Sequence, residues 1–120
     1  MSEKKTVAIV EDDFLIAEYL RMTCVELGAE VVGLASKPDE AIEMIERLTP
    51  AYVLMDVRLG GKRDGVDVAI KSHRSYPDMK IIFITGSNEP PTIDRINSDD
   101  PHEILIKPIN QGDLAKALGL

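Results

Sequence analysis

Short apolar runs alternate with stretches of helical periodicity along the chain. Val7-Ala8-Ile9-Val10, Ala51-Tyr52-Val53-Leu54-Met55, Ile81-Ile82-Phe83-Ile84 and Ile104-Leu105-Ile106 are short and apolar, as buried strands are. The pattern predicts strands at about 6–10, 30–34, 51–56, 80–84 and 103–106. Helices are predicted at about 13–27, 38–48, 65–75, 91–98 and 111–118. In the first helix Ile16, Leu20, Cys24 and Leu27 share one face, and Gly28 stands where a left-handed C-terminal residue belongs. The second opens on Lys37-Pro38-Asp39-Glu40, with acids in its first turn, and turns Ala41, Ile42, Ile45 and Leu48 inward. The third follows Asp64-Gly65 and ends before Tyr76-Pro77. The fourth is the least regular, opening at Glu89-Pro90-Pro91-Thr92 and stopped by Asn97-Ser98-Asp99-Asp100-Pro101. The fifth is short.

Strict strand–helix alternation with nearly all-apolar strands predicts an α/β fold, a parallel sheet covered on both faces. Right-handed crossovers leave few topologies for five strands. A doubly wound, flavodoxin-like sheet in order 2-1-3-4-5 would set the first, third, fourth and fifth strands side by side. Their C-terminal ends would then line a crevice at the topological switch point. Those four strands end on Glu11-Asp12-Asp13, Asp56, Thr85 and Lys107-Pro108, whereas the second ends blandly on Leu34-Ala35-Ser36. A buried strand gains no stability from ending on a carboxylate, because desolvating an unpaired charge costs several kcal/mol or forces its pKa upward.

The 120 residues are expected to form one domain, long enough to bury a core without disulfides or structural metal. A net charge of −7 argues against non-specific binding of nucleic acid and against docking on anionic membrane. The single cysteine, Cys24, has no internal disulfide partner and reads as a small core side chain. No apolar run approaches the roughly 18 residues of a membrane span, and the polar start Met-Ser-Glu-Lys-Lys is no signal peptide. A cytoplasmic location is the expectation. No part of the 120 residues is left over for a second domain, so a stand-alone protein and a domain cut from a longer one are both open.

Glu11, Asp12 and Asp56 would bring three negative charges together, which like-charge repulsion forbids without compensation. A divalent cation and Lys107 would balance them. Hard oxygen donors without His or Cys favour Mg²⁺. Asp56 would then be an ionised oxygen nucleophile able to form an aspartyl phosphate, with Lys107 and the Thr85 hydroxyl beside the transferring group. Each residue also has a plainer reading. Asp12 or Asp13 could cap the first helix, Asp56 could be an N-cap, Thr85 a turn hydroxyl and Lys107 a surface lysine. Capping does not explain all of them at the ends of adjacent strands.

Val10-Glu11-Asp12-Asp13, Leu54-Met55-Asp56-Val57-Arg58-Leu59, Asp64-Gly65, Phe83-Ile84-Thr85-Gly86 and Ile106-Lys107-Pro108 together resemble the receiver domain of bacterial two-component response regulators. The resemblance covers essentially the whole chain. It implies that Glu11 and Asp12 are the acidic pair, that Asp56 is the phospho-acceptor, and that the Arg58 backbone carbonyl completes the protein's Mg²⁺ ligands. Thr85 would be the switch hydroxyl and Lys107 the lysine that contacts the phosphoryl group, with a cis Lys107–Pro108 bond. The donor would be a phosphohistidine on a sensor histidine kinase or phosphotransfer protein. The target would be a downstream protein or a covalently linked output domain. Two departures stand out. The loop Gly60-Gly61-Lys62-Arg63 is about one residue longer than the common form and lacks its proline. Ile104 replaces the usual aromatic residue three before Lys107, so the usual rotamer switch is not expected, and the conformational change should fall mainly on residues 86–100.

A second stripe on the first helix, Leu15, Tyr19 and Met22, reads by itself first as packing or scattered surface. The resemblance raises a partner site there, because receivers meet their phosphodonors over this helix. His73 reads as a half-buried helix residue and His102 as a loop residue, with no metal site between them. Absence of G-x-G-x-x-G after the first strand disfavours dinucleotide binding, and absence of G-x-x-x-x-G-K-[ST] excludes a P-loop. Aspartyl-phosphate hydrolases usually carry a second Asp two residues after the nucleophile, where this chain has Arg58. A non-enzymatic switch is therefore expected. The alternative is a receiver-like adaptor acting by phosphorylation-independent contacts.

Overall fold

The computed structural model describes residues 4–59, 64–86, 90–98 and 101–120. The strands are β1 (Thr6–Val10), β2 (Glu30–Ala35), β3 (Tyr52–Asp56), β4 (Lys80–Thr85) and β5 (Glu103–Ile106). The helices are α1 (Phe14–Glu26), α2 (Pro38–Leu48), α3 (Gly65–Ser75), α4 (Pro90–Asn97) and α5 (Gln111–Ala117). Every end lies within one residue of the position expected from periodicity. The loop 60–63 falls outside the described residues, as do 87–89 and 99–100 of the segment expected to switch.

All pairings among the described strands are parallel, in the order β2-β1-β3-β4-β5. Alternate side chains divide the core into two layers. Ala8, Val10, Val53, Met55, Ile81 and Phe83 face α2, α3 and α4, whereas Val7, Ile9, Leu54, Ile82 and Ile84 face α1 and α5. The central strands are apolar throughout because they are covered on both sides. Met44 joins the inward face of α2, while Leu48 at its end is only partly buried.

Local chemistry sets the helix ends. Asp13, not Asp12, caps α1: its Oδ1 accepts from the backbone N–H of Leu15 at 2.9 Å and of Ile16 at 3.2 Å. Gly28 closes that helix at φ +94°, which a side chain would resist. Asp64 and Asp67 form a reciprocal capping box at the start of α3. Asp56 is therefore not the cap of α3. The short α4 is anchored by Ile96, fully buried, with Ile93 partly buried beside it. Ile104 packs with this layer, paired in register with Phe83.

Candidate functional site

Strand ladders deliver the candidate side chains to one end of the sheet. The Glu11 N–H donates to Ala35 O at 3.0 Å, and the Lys107 N–H to Thr85 O at 2.8 Å, so the backbone stays paired just beyond β1 and β5. Glu11, Asp12, Asp56, Thr85 and Lys107 all line one cavity of about 640 Å³, and Arg58 lies at its wall. Thr85 is buried, and Lys107 is only partly exposed and reaches inward to the two carboxylates. The Lys107–Pro108 peptide bond is cis, as the resemblance implied.

One carboxylate oxygen each from Glu11, Asp12 and Asp56 lie within 4.8 Å of one another. Glu11 and Asp56 are buried, while Asp12 is exposed at the rim. Lys107 Nζ stands 2.9 Å from Glu11 Oε1 and 3.5 Å from Asp56 Oδ1. Glu11 Oε2 accepts from the Asp13 N–H at 3.2 Å. Glu11 Oε1 is buried with no hydrogen bond. The ammonium therefore supplies it with charge but not with good hydrogen-bond geometry.

Burial penalises charge on both inner carboxyl groups, and they divide the burden unequally. Burial, the hydrogen bond to Glu11 and the charges of Glu11 and Asp12 push Asp56 up to about 7, against the pull of Lys107. Burial also opposes ionisation of Glu11, but the close contacts of Asp56 and the Lys107 ammonium, with the hydrogen bond from the Asp13 backbone, outweigh it and hold Glu11 below the usual carboxylate range. For Lys107 burial disfavours the cation, and the ion pair with Glu11 and the charge of Asp56 overcome it and raise its pKa. At neutral pH Asp56 is thus only partly ionised, while Glu11 carries its charge. An orphaned buried oxygen, a proton retained by crowding and three convergent oxygen donors fit a hard divalent cation.

Beside this cavity runs a mostly apolar groove of about 560 Å³ lined by Leu15, Ile16, Tyr19, Leu20, Lys107, Pro108 and Ile109. Leu15 is 77% exposed, so the packing reading fails for it. Tyr19 is half exposed and donates its hydroxyl to Ile109 O at 2.9 Å. Met22 is equally open but does not line the groove. His73 and His102 instead sit at the opposite end of the sheet, bonded to the carbonyls of Met79 and Ala117.

Two neighbours of the site were not foreseen. Arg95 of α4 forks onto Asp64, with Nη2 3.1 Å from Oδ1 and Nη1 on Oδ2, and its Nη2 lies 3.5 Å from Asp67 Oδ1. Gly65 packs on β3, where a Cβ would fall 2.0 Å from the Asp56 carbonyl oxygen. The capping box was readable in Asp64-Gly65-Val66-Asp67, but nothing in the sequence pairs it with Arg95.

Comparison with known proteins gives a consistent picture. The family described as response regulator receiver domain matches residues 7–119. The chain is 35% identical over 118 residues to the transcriptional regulatory protein PdtaR of Mycobacterium tuberculosis, covering 97% of this chain and 56% of PdtaR. It is 28% identical over 115 residues to the response regulator GacA of Pseudomonas syringae, covering 95% and 53%. The chain thus spans about half the length of these curated relatives. Among solved structures, the signal receiver domain of a modulated diguanylate cyclase from Desulfovibrio desulfuricans superposes with a TM-score of 0.89 at 32% identity, over 98% of this chain and 92% of that one. A CheY-like receiver domain protein from Methanospirillum hungatei also gives 0.89, at 26% identity and the same coverage.

Proposed function

Because this chain belongs to the response regulator receiver domain family, we propose that Asp56 accepts a phosphoryl group from a phosphohistidine and that the domain then changes shape to control a partner. The carrying observation is Asp56 itself: 5% exposed, at the open end of β3, and 3.5 Å from the Lys107 ammonium. In the transfer an Asp56 carboxylate oxygen forms the new bond to phosphorus. The bond from phosphorus to the donor imidazole breaks, and its electron pair stays on that nitrogen.

Glu11, Asp12 and Asp56 would hold Mg²⁺, with the Arg58 backbone carbonyl as a further ligand. The cation, when bound, supplies positive charge that keeps Asp56 ionised and offsets the phosphoryl oxygens. Lys107 would serve the same oxygens, and Glu11 keeps its ammonium aimed into the cavity. Thr85, on the cavity wall, is the hydroxyl that the new phosphoryl oxygens would attract by charge-assisted hydrogen bonding. The groove along Leu15 and Tyr19 would seat the donor, a sensor histidine kinase or phosphotransfer protein, and Met22 would extend that surface. The domain, residues 1–120, works as a signalling switch in the cytoplasm, not as an enzyme acting on an external substrate. Its output would be a downstream protein or a linked domain.

Incubation with acetyl phosphate and Mg²⁺ should add one phosphoryl group by intact mass. Chelation of the metal or Asp56→Asn should remove the label. Label that persists in Asp56→Asn would sink the assignment. A partner bound equally well by wild type and Asp56→Asn would instead support the phosphorylation-independent adaptor.

A further inference from the structure

We infer that Arg95 is a positioning residue that clamps α4 to the phosphorylation site, and that the clamp favours the unphosphorylated arrangement. The inference rests on the reading of Asp56 as phospho-acceptor.

The clamp is a connected chain of contacts. Asp64 Oδ1 accepts from the backbone N–H of Val66 at 3.0 Å and of Asp67 at 3.2 Å, while Asp67 Oδ2 accepts from the Asp64 N–H at 3.0 Å. The first turn of α3 is thereby a rigid unit, and the Arg95 guanidinium grips its carboxylates. Burial works against the charge on Asp64, yet Arg95 and the backbone donors keep it below the usual carboxylate range. That turn has no slack against the acceptor strand. The Gly65 N–H donates to Val57 O at 2.7 Å, and Gly65 leaves no room for even a methyl group beside the Asp56 carbonyl. A shift in the main chain at Asp56 therefore reaches Asp64 directly, and Arg95 passes it to α4.

The described residues give α4 few buried anchors. Of its described residues Ile96 alone is buried, so a two-pronged pair on the preceding residue is a large share of what positions it. Arg95, Pro91 and Thr92 also face the cavity that holds Asp56 and Lys107. Phosphorylation turns the single negative charge of the Asp56 carboxylate into an acyl phosphate of about −1.5 to −2 there. Movement of α4 as a body toward that charge disturbs the bidentate pair held by Arg95 in its last turn, whose geometry tolerates little displacement. Ile104, β-branched and lacking an aromatic ring, has no large rotamer change with which to carry the signal. The arginine clamp supplies a second route between site and surface. Because the pair is half exposed, its removal should move the switching equilibrium by about two- to fivefold, not by orders of magnitude.

The test is titration with beryllofluoride and Mg²⁺, followed by fluorine-19 NMR, on wild type, Arg95→Gln, Arg95→Lys and Asp56→Asn. Arg95→Gln should bind about two- to fivefold more tightly than wild type, with Arg95→Lys between them. Amide exchange over residues 90–98 of the unliganded Arg95→Gln protein should also be faster. A lower melting temperature with unchanged affinity would reduce the pair to a fold-stabilising contact and overturn the inference. Weaker binding would make Arg95 a ligand of the phosphoryl group and overturn it as well. Both outcomes leave Asp56 as acceptor. If wild type fails to bind beryllofluoride, or Asp56→Asn binds it, the acceptor reading falls and the inference falls with it.

Discussion

Replacing Asp56 by Asn should stabilise the metal-free domain, by an amount that grows as pH rises. Burial and the carboxylates of Glu11 and Asp12 push Asp56 from 3.8 up to about 7, even with Lys107 nearby. Between those values the folded chain keeps a proton that the unfolded chain has released, so the free energy of unfolding falls with rising pH. The contribution is fully present below about pH 4 and lost above about pH 7. At about 1.4 kcal/mol for each power of ten in acidity, the interval is worth about 4 kcal/mol, a large share of the 5–15 kcal/mol typical of a domain. Asn has no charge to desolvate and can still donate to Glu11. Urea unfolding in a chelator, stepped from about pH 4.5 to 8, should show the variant's advantage growing by about 2–4 kcal/mol. Millimolar Mg²⁺ should shrink that advantage, because a cation bound only by the folded carboxylates stabilises wild type in proportion to its occupancy. Parallel stability curves for the two proteins across this range would refute the reasoning.

Gly65→Ala should cost about 3 kcal/mol or more, lowering the melting temperature by roughly 10 °C, since its methyl would fall 2.0 Å from the Asp56 carbonyl oxygen; calorimetry checks this. Cys24 is buried and its thiol is pushed up to about 11, so a thiol reagent at pH 8 should label it only in denaturant. Leu15→Asp, at a position 77% exposed, should leave the melting temperature unchanged and slow transfer from a phosphohistidine donor about tenfold, measured by following the donor's loss of label.

Strand order and the candidate site were legible in the sequence because both depend on short-range pattern. Period-two and period-3.6 spacing reports which face of an element is buried, and an uninterrupted apolar run reports burial on both. Once parallel crossovers restrict the topology, residues at four strand ends must meet, and Glu11, Asp56, Thr85 and Lys107 do. Only the tertiary structure chose between Asp12 and Asp13 as the cap of α1, because that depends on which carboxylate the chain turns toward the free N–H groups. It likewise showed Glu11 Oε1 buried without a hydrogen bond and Leu15 open to solvent. The pairing of Arg95 with Asp64, 31 positions away, had no sequence signal at all. Spacing along one element encodes its own faces and caps, but a side-chain contact between two helices is set by how both pack on the sheet.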